Sequence, residues 1–315
     1  MKMVEVNAAS VVPTWLADYA TLVRLRLTAL VVVSVLVGFY LGHAGPVLGD
    51  GSRGVKPTDS NPWAGTLAAT MVGIVLVIAG ANAANQWLER KQDALMARTA
   101  NRPLATGRLS AGHVVRFSAC LSVAGLMALF MLVNPACAGL AVTAWILYLC
   151  VYTPLKRVTS RSVLVGAVSG ALPPVIGWTA AAGGFEAKSL VLFSIVFVWQ
   201  LPHFQSIAWL YREDYARARY PVLPVVEPTG KRTAVEMIAY SLILIPLSLL
   251  PTFFRMAGFA YYTGAMILGF VFLAFALEVA RLRTRASARQ HLLASLAYLT
   301  LLFVLMTLDK VPSQI

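Results

Sequence analysis

The chain has 315 residues, 59% of them hydrophobic and 12% charged, with a formal net charge of +13. A mean hydropathy of +0.74 excludes an ordinary soluble domain, in which about 25% of residues are charged. The bases lie in short segments between apolar runs, with no basic domain interleaved with aromatics, so membrane topology explains them better than nucleic acid.

The first residues, MKMVEVNAASVVPTWLADYA, lack a cleavable signal pattern and the Arg/Ser-rich character of a transit peptide. Met1 is therefore expected to begin the mature chain, in a bacterial plasma membrane, with 1–23 as a cytoplasmic segment. A hydrocarbon core about 30 Å thick needs roughly 20 apolar residues per helix. Apolar runs meet that need near 27–44, 64–87, 112–133, 136–154, 163–182, 189–210, 234–254, 259–280 and 291–308. Asn134-Pro135 alone separates the third and fourth, which predicts a tight turn.

Nine spans put 21 of the 26 Lys and Arg residues on one side. By the positive-inside rule the N-terminus is cytoplasmic and the C-terminus lies opposite. Residues 24–310 are expected to form one nine-helix domain and 311–315 a tail. Cys120, Cys137 and Cys150 sit in or beside apolar runs without metal spacing and are expected to pack.

Cytoplasmic segments 88–111 and 211–233 are the longest and carry acids as well as bases. Topological anchoring needs only the bases. In "NQWLERKQDALMARTANRP", Asn85, Glu89 and Asp93 stand at i, i+4 and i+8, and each step drifts about 40° around a helix, so all three share a face. Asn82 lies on that side but deeper. Two carboxylates and an amide suit Mg²⁺ completed by phosphate oxygens and water. Arg90, Lys91, Arg98 and Arg102 would meet the remaining phosphate charge. Surface ion pairs at a helix end would give the same spacing.

The second segment is entered from "WQLPHF", where Pro202 should kink a helix carrying Trp199, Gln200 and His203. Asp214, eleven residues past His203, falls about 20° from the same face if the helix continues. Polar groups at such depth line a cavity or simply join helices. His43, His113 and His291 are expected at interfaces. In "YTPLKR", Tyr152 and Lys156 are i, i+4 and can face one cavity, or serve as interfacial belt and anchor.

Together "NQWLERKQDALMARTANRPL", "YTPLKRVTSRSVLVGAVSGALPPVIGW", "WQLPHF" and "REDY" followed by "PVLPVV" resemble the haem O synthases, the protohaem IX farnesyltransferases of the UbiA-type intramembrane prenyltransferase superfamily, over roughly residues 20–305. Asn85, Glu89 and Asp93 match the superfamily's first acidic signature, with Gln86 and Glu89 in place of its two inner Asp residues. Three departures stand out. Arg24-Leu25-Arg26 replaces a frequent Lys-Pro-Arg, Arg219-Tyr220-Pro221-Val222-Leu223-Pro224 replaces a frequent Gly-Ile-Pro-Met-Leu-Pro, and Ala218 stands where the second acidic motif has another Asp.

The resemblance implies an all-α integral membrane protein, a nine-transmembrane-helix bundle around a central cavity with the UbiA-type fold. It implies transfer of farnesyl from farnesyl diphosphate to a vinyl group of haem b with addition of water, giving haem O and diphosphate. Haem b is then a substrate and Mg²⁺ the cofactor, one ion at Asn85, Glu89 and Asp93 and a second at Asp214 with Glu213. Arg98, Arg102, Lys156 and Arg212 would clamp the diphosphate. Asn101, Tyr152, Arg157, Trp199, Gln200 and His203 complete the implied substrate-binding set, His203 as a candidate haem contact. Haem A synthase or oxidase assembly proteins are the implied partners in a bacterial inner membrane. The alternatives are a UbiA-type enzyme acting on an aromatic quinone or chlorophyll precursor, and a non-catalytic haem-binding or transport protein.

Overall fold

The computed structural model describes residues 14–43 and 62–311. Lys2, Arg53 and Lys56 of the charge count, and the tail beyond 311, lie outside the described residues. The long helices are α2 (Leu25–Gly42), α3 (Pro62–Asp93), α4 (Ala111–Leu132), α7 (Ser162–Ala182), α8 (Ser189–Leu210), α11 (Lys231–Phe253), α12 (Phe259–Leu282) and α13 (Arg285–Leu308). Between them stand α5 (Pro135–Ile146), which continues through a π-helical turn (Leu147–Tyr152) into α6 (Thr153–Leu155), and the short α9 (Arg212–Arg217) and α10 (Leu223–Val226). A further helix, α1 (Thr14–Leu22), forms in the expected N-terminal segment.

Among the described residues, eight spans are long and apolar enough to cross a membrane, and α1 with α2, bent by 50° at their junction, supply a ninth when taken as one span. The chain is a multi-pass membrane protein. The boundaries have local causes: Asn134 caps α5 by accepting from Cys137 N at 2.8 Å, with Pro135 in the first turn, and Thr284 and Ser287 cap α13 reciprocally. The turn expected at Asn134-Pro135 is thus present.

Two apolar clusters fill the bundle. One joins α2, α7, α8, α11, α12 and α13, and the other joins α2, α3, α4, α5 and α7. α2 and α7 belong to both, and every residue of α7 from Ala171 to Ala180 is buried. Their contact is close because glycines remove the side chains. A Cβ on Gly38 would lie 1.9 Å from Pro174 O, and one on Gly177 2.0 Å from Val35 O.

α8 continues through Pro202 to Leu210, the end that its apolar run predicts. Two sequence expectations are corrected here. His291 is buried rather than interfacial, its Nδ1 2.7 Å from Ser206 Oγ on α8. Only Cys137 packs inside, whereas Cys120 and Cys150 face outward.

The α2–α7 contact makes a prediction. Gly38→Ala should destabilise the protein by about 1–3 kcal/mol through overpacking, read as a lower melting temperature in detergent. Gly139→Ala, where nothing lies within 4 Å, should be neutral or stabilising.

Candidate active site

α3 has 32 residues, about 48 Å of helix against a hydrocarbon core of about 30 Å. The excess is enough to carry its polar C-terminal turns beyond the apolar layer. There Asn85, Glu89 and Asp93 are all at most 3% exposed, and the single face expected from their spacing is present. Each is met by a base from a different part of the chain. Arg24, at the α1–α2 junction, donates from Nη2 to Asn85 Oδ1 at 2.7 Å. Lys156, just past α6, pairs with Glu89. Arg102, in the segment after α3, donates from Nη1 to Asp93 Oδ2 at 2.7 Å. The other Asp93 oxygen, Oδ1, is buried without a hydrogen-bond partner.

The π-helical turn sets the opposite wall. Such turns widen a helix by one residue and recur at functional sites. Here Thr153 Oγ1 donates to Tyr148 O at 2.7 Å and accepts from Asn85 Nδ2 at 3.1 Å, which locks the turn to α3. Tyr148 OH accepts from Arg24 Nη1 at 3.3 Å, and the Tyr148 and Tyr152 rings stack 6.1 Å apart. Lys156 Nζ lies over the rings of Tyr152 and Tyr220, 5.2 and 5.4 Å from their centroids, and Tyr220 OH donates to Glu89 Oε1 at 3.5 Å. Burial draws the Lys156 ammonium below the ordinary lysine range while Glu89 opposes it. Arg102 is drawn down likewise by burial and by Arg24, with Asp93 opposing. Tyr152 and Lys156 also line a cavity that extends past Phe204, Ala208, Tyr215 and Tyr220 toward α8.

The other expected site residues spread more widely. Asp214 accepts from Ala97 N and Arg98 N at 3.2 and 3.4 Å and pairs with Arg217. Glu213 is exposed and points to Arg285, 3.9 Å away. The angular extrapolation from His203 to Asp214 fails because Tyr211, at φ −111° and ψ 24°, breaks the helix before α9 begins. Neither acid joins the α3 face in this structure. Arg98 is exposed and stacks over Tyr211 at 4.9 Å, and Arg212 over Trp209 at 4.8 Å. Asn101 is exposed, with its carbonyl accepting from Arg108, and Arg157 donates to Leu88 O at 2.6 Å.

Trp199, Gln200 and His203 sit in the apolar part of the bundle. Trp199 Nε1 donates to Ser295 O at 2.7 Å, and His203 stacks on Trp199 at 4.8 Å with Nδ1 2.7 Å from Ser295 Oγ. Gln200 Nε2 donates to Ala167 O and Val196 O. Arg24, Tyr148, Thr153 and Tyr220 are cluster members that the sequence did not single out. Arg24 stood among the topological bases, and Tyr220 in the stretch that departs from Gly-Ile-Pro-Met-Leu-Pro. That departure also has a backbone consequence, since Arg219 holds a left-handed φ of 57° where the pattern has Gly.

Among the described residues no three or more His, Cys, Asp or Glu side chains are placed to hold a metal. The donor set offered by α3 is smaller, an amide and two carboxylates, and a cation there needs further oxygens from ligand or water. The unpartnered Asp93 Oδ1 fits a cation, because a buried carboxylate oxygen otherwise bears its desolvation uncompensated.

If the Glu89–Lys156 pair braces this end, Lys156→Met should cost about 3–5 kcal/mol by leaving a buried carboxylate alone. The double variant Lys156→Met/Glu89→Gln should recover most of that loss in the same thermal unfolding measurement.

Comparison with known proteins places this geometry. Residues 54–304 match the model of the UbiA prenyltransferase family. The chain is 44% identical over 293 residues to protoheme IX farnesyltransferase of Solibacter usitatus (strain Ellin6076), covering 93% of this chain and 98% of that one. It is 41% identical over 306 residues to the enzyme of the same name from Koribacter versatilis (strain Ellin345), covering 95% of each. A solved digeranylgeranylglyceryl phosphate synthase shares the fold with a TM-score of 0.74 at 15% identity, over 94% of this chain and 99% of that one. A UbiA homolog from Archaeoglobus fulgidus bound to DMAPP and Mg²⁺ matches with a TM-score of 0.61 at 15% identity, over 92% and 99% of the two chains. The chain belongs to the UbiA prenyltransferase family, among its protoheme IX farnesyltransferases.

Proposed function

We propose that this protein transfers the farnesyl group of farnesyl diphosphate to a vinyl group of haem b, with addition of water, giving haem O and diphosphate. What carries the assignment is the α3 face, where Asn85, Glu89 and Asp93 are buried and each is met by a base beside a largely apolar bundle. The relatives named above supply the acceptor, and the UbiA homolog bound to DMAPP and Mg²⁺ supports a diphosphate and a divalent cation at such a site.

Asn85, Glu89 and Asp93 would hold one Mg²⁺. Bound there, the ion supplies charge neutralisation for the departing diphosphate. A second ion at Glu213 and Asp214 does not fit the present arrangement, in which Asp214 serves backbone amides and Glu213 faces outward, and no step is derived through it.

The chain's own groups do the rest. Arg102 and Lys156, released from Asp93 and Glu89, turn toward phosphate oxygens and hold the leaving group in place. Arg98, on the same loop as Arg102, and Arg212 extend this positive rim. The C1–O bond of farnesyl diphosphate breaks, its electron pair leaves with diphosphate, and the vinyl group forms the new bond to C1. Water then supplies hydroxyl to the resulting cation and releases a proton. Apolar walls keep water from the farnesyl cation before the vinyl group reaches it. Tyr152 flanks that path. Trp199 and Gln200 shape the acceptor side, where His203 Nε2, with Nδ1 engaged by Ser295, is the nitrogen that can reach haem.

Residues 24–310 act as one domain on this account. The 21-to-5 distribution of bases supports a cytoplasmic N-terminus and a site open to the cytoplasmic side of the inner membrane. Proteins that consume haem O, such as haem A synthase or oxidase assembly factors, are the proposed partners.

Haem extracted from cells expressing the chain should gain the mass of farnesyl plus hydroxyl. Modification of a hydroxybenzoate by purified enzyme with farnesyl diphosphate and Mg²⁺, with haem b left unchanged, would show the assignment to be wrong. Glu89→Gln and Asp93→Asn should each lower turnover roughly 100-fold or more while the protein remains inserted, since a metal centre is worth several kcal/mol to a charged transition state. Near-normal turnover in both would remove the metal assignment.

A further inference from the structure

The proposed reaction consumes one water, and timing decides its outcome. Water that meets the farnesyl cation destroys it, whereas water that meets the later cation on the haem side chain completes the product. Such a site needs water held at one place and apolar walls elsewhere.

The cavity that reaches from Tyr152 and Lys156 to α8 has the right size and lining. Its volume is about 100 Å³, too small for a fifteen-carbon chain or a macrocycle, whose pockets run to roughly 300–1,000 Å³. It has room for a few waters at ~30 Å³ each. The hydroxyls of Tyr152, Ser160, Ser162 and Tyr215 line it, and none of the four makes a hydrogen bond among the described residues. Ser162 is only 6% exposed. A buried hydroxyl without a partner bears its desolvation uncompensated, so four beside one small cavity mark a place that water satisfies. Gln205, on the α8 wall, donates from Nε2 to Glu236 Oε2 on α11 at 2.7 Å. That bond fixes the amide and leaves Oε1 as its acceptor.

The cavity also joins the two halves of the proposed reaction. At one end Lys156 pairs with Glu89, on the leaving-group side. At the other, the ring of Phe204 lies 5.7 Å from that of His203, on the acceptor side.

We propose that this cavity is the water chamber of the reaction, and that Ser162 and Gln205 hold the water that becomes the product hydroxyl. The proposal rests on the farnesyl transfer proposed above. Once the outer vinyl carbon has bonded to farnesyl C1, the positive charge lies on the carbon next to the macrocycle. A chamber water gives a lone pair to that carbon, forming the C–O bond, and passes its proton to a neighbouring water. Where no water is in place, the same cation loses a proton from the adjacent CH₂ and closes to an alkene, lighter than the alcohol by one water.

The test uses the full-length enzyme in detergent with farnesyl diphosphate, Mg²⁺ and haem b, and reads the alkene-to-alcohol ratio of the farnesylated haem by mass. Ser162→Ala removes one hydrogen bond to the water and should raise that ratio roughly 3- to 10-fold, the range of one lost hydrogen bond. Ala208→Leu fills the chamber from α8 and should raise it by roughly 10-fold or more, since the water itself is displaced. Total farnesylated haem should fall far less than the ratio rises, because the C–C bond forms before the water is used.

A ratio equal to the parent's in Ala208→Leu would overturn the chamber, because hydroxylation would then draw on water from elsewhere. A loss of farnesylated haem at constant ratio would overturn it equally, by giving the cavity to a substrate. If Ala208→Leu does not accumulate in the membrane, Ser162→Ala decides by the same ratio, and an unchanged value overturns the proposal. Failure of the parent enzyme to farnesylate haem b would instead overturn the function proposed above, and is seen before any ratio is read.

Discussion

Two carboxylates buried on one face of α3 dominate the polar end of this bundle. Glu89 and Asp93 are at most 3% exposed, and an ionised carboxylate at such depth is costly without a partner. Each finds a base that is remote in sequence, Lys156 after the π-helical turn and Arg102 after the loop that follows α3. The pairs therefore fix where the α3–α4 connection and the end of α6 must lie. Apolar residues of similar volume would brace these helices at least as well, since buried ion pairs rarely exceed hydrophobic packing in stability. Chemistry is the better reason for keeping charges there, and α3's length lifts them clear of the hydrocarbon.

The remainder of the fold separates that polar end from an apolar interior. The glycine contact of Gly38 and Gly177 draws α2 against α7 until backbone meets backbone, and both apolar clusters lean on this seam. The seam holds α2, which begins just after Arg24, against α7. The far end is tied separately, with Lys310 Nζ donating to Tyr40 O and His43 O at 2.6 and 2.7 Å and Gly258 N donating to Asp309 O at 2.8 Å. The two ends of the bundle are thus braced by separate contacts.

Much of this was legible in the sequence wherever a property depends on neighbours along one helix. Apolar run length located the spans, and four-residue spacing placed Asn85, Glu89 and Asp93 together. What failed was inference across breaks or between helices. Asp214 was projected along a helix that stops at Tyr211, a residue that carries no strong stop signal. The apolar run puts His291 at the start of its span, yet the Thr284 and Ser287 cap starts α13 earlier and His291 is buried against α8. Arg24 looked like any other base flanking a span. Its placement depends on the amides of Asn82 and Gln86, about sixty residues away, and no local pattern encodes that pairing.

Charge balance ties the cluster to its proposed ligands. Arg24, Arg102 and Lys156 exceed Glu89 and Asp93 by one positive charge. A fully ionised prenyl diphosphate is a trianion and Mg²⁺ a dication, so one of each carries a single net negative charge, which the surplus matches. Either ligand alone would leave these five side chains unbalanced. In this structure the acids satisfy two of the bases; on the proposed reading a bound cation would be held by the acids, and those bases would be free to meet phosphate oxygens. The ion pairs of this structure are compatible with the proposed arrangement, because the exchange would preserve charge at every group. Asp214 lies outside this exchange. By accepting from Ala97 N and Arg98 N it holds the loop that carries Arg98 and Arg102, so the two charged segments recognised in the sequence meet through this backbone contact.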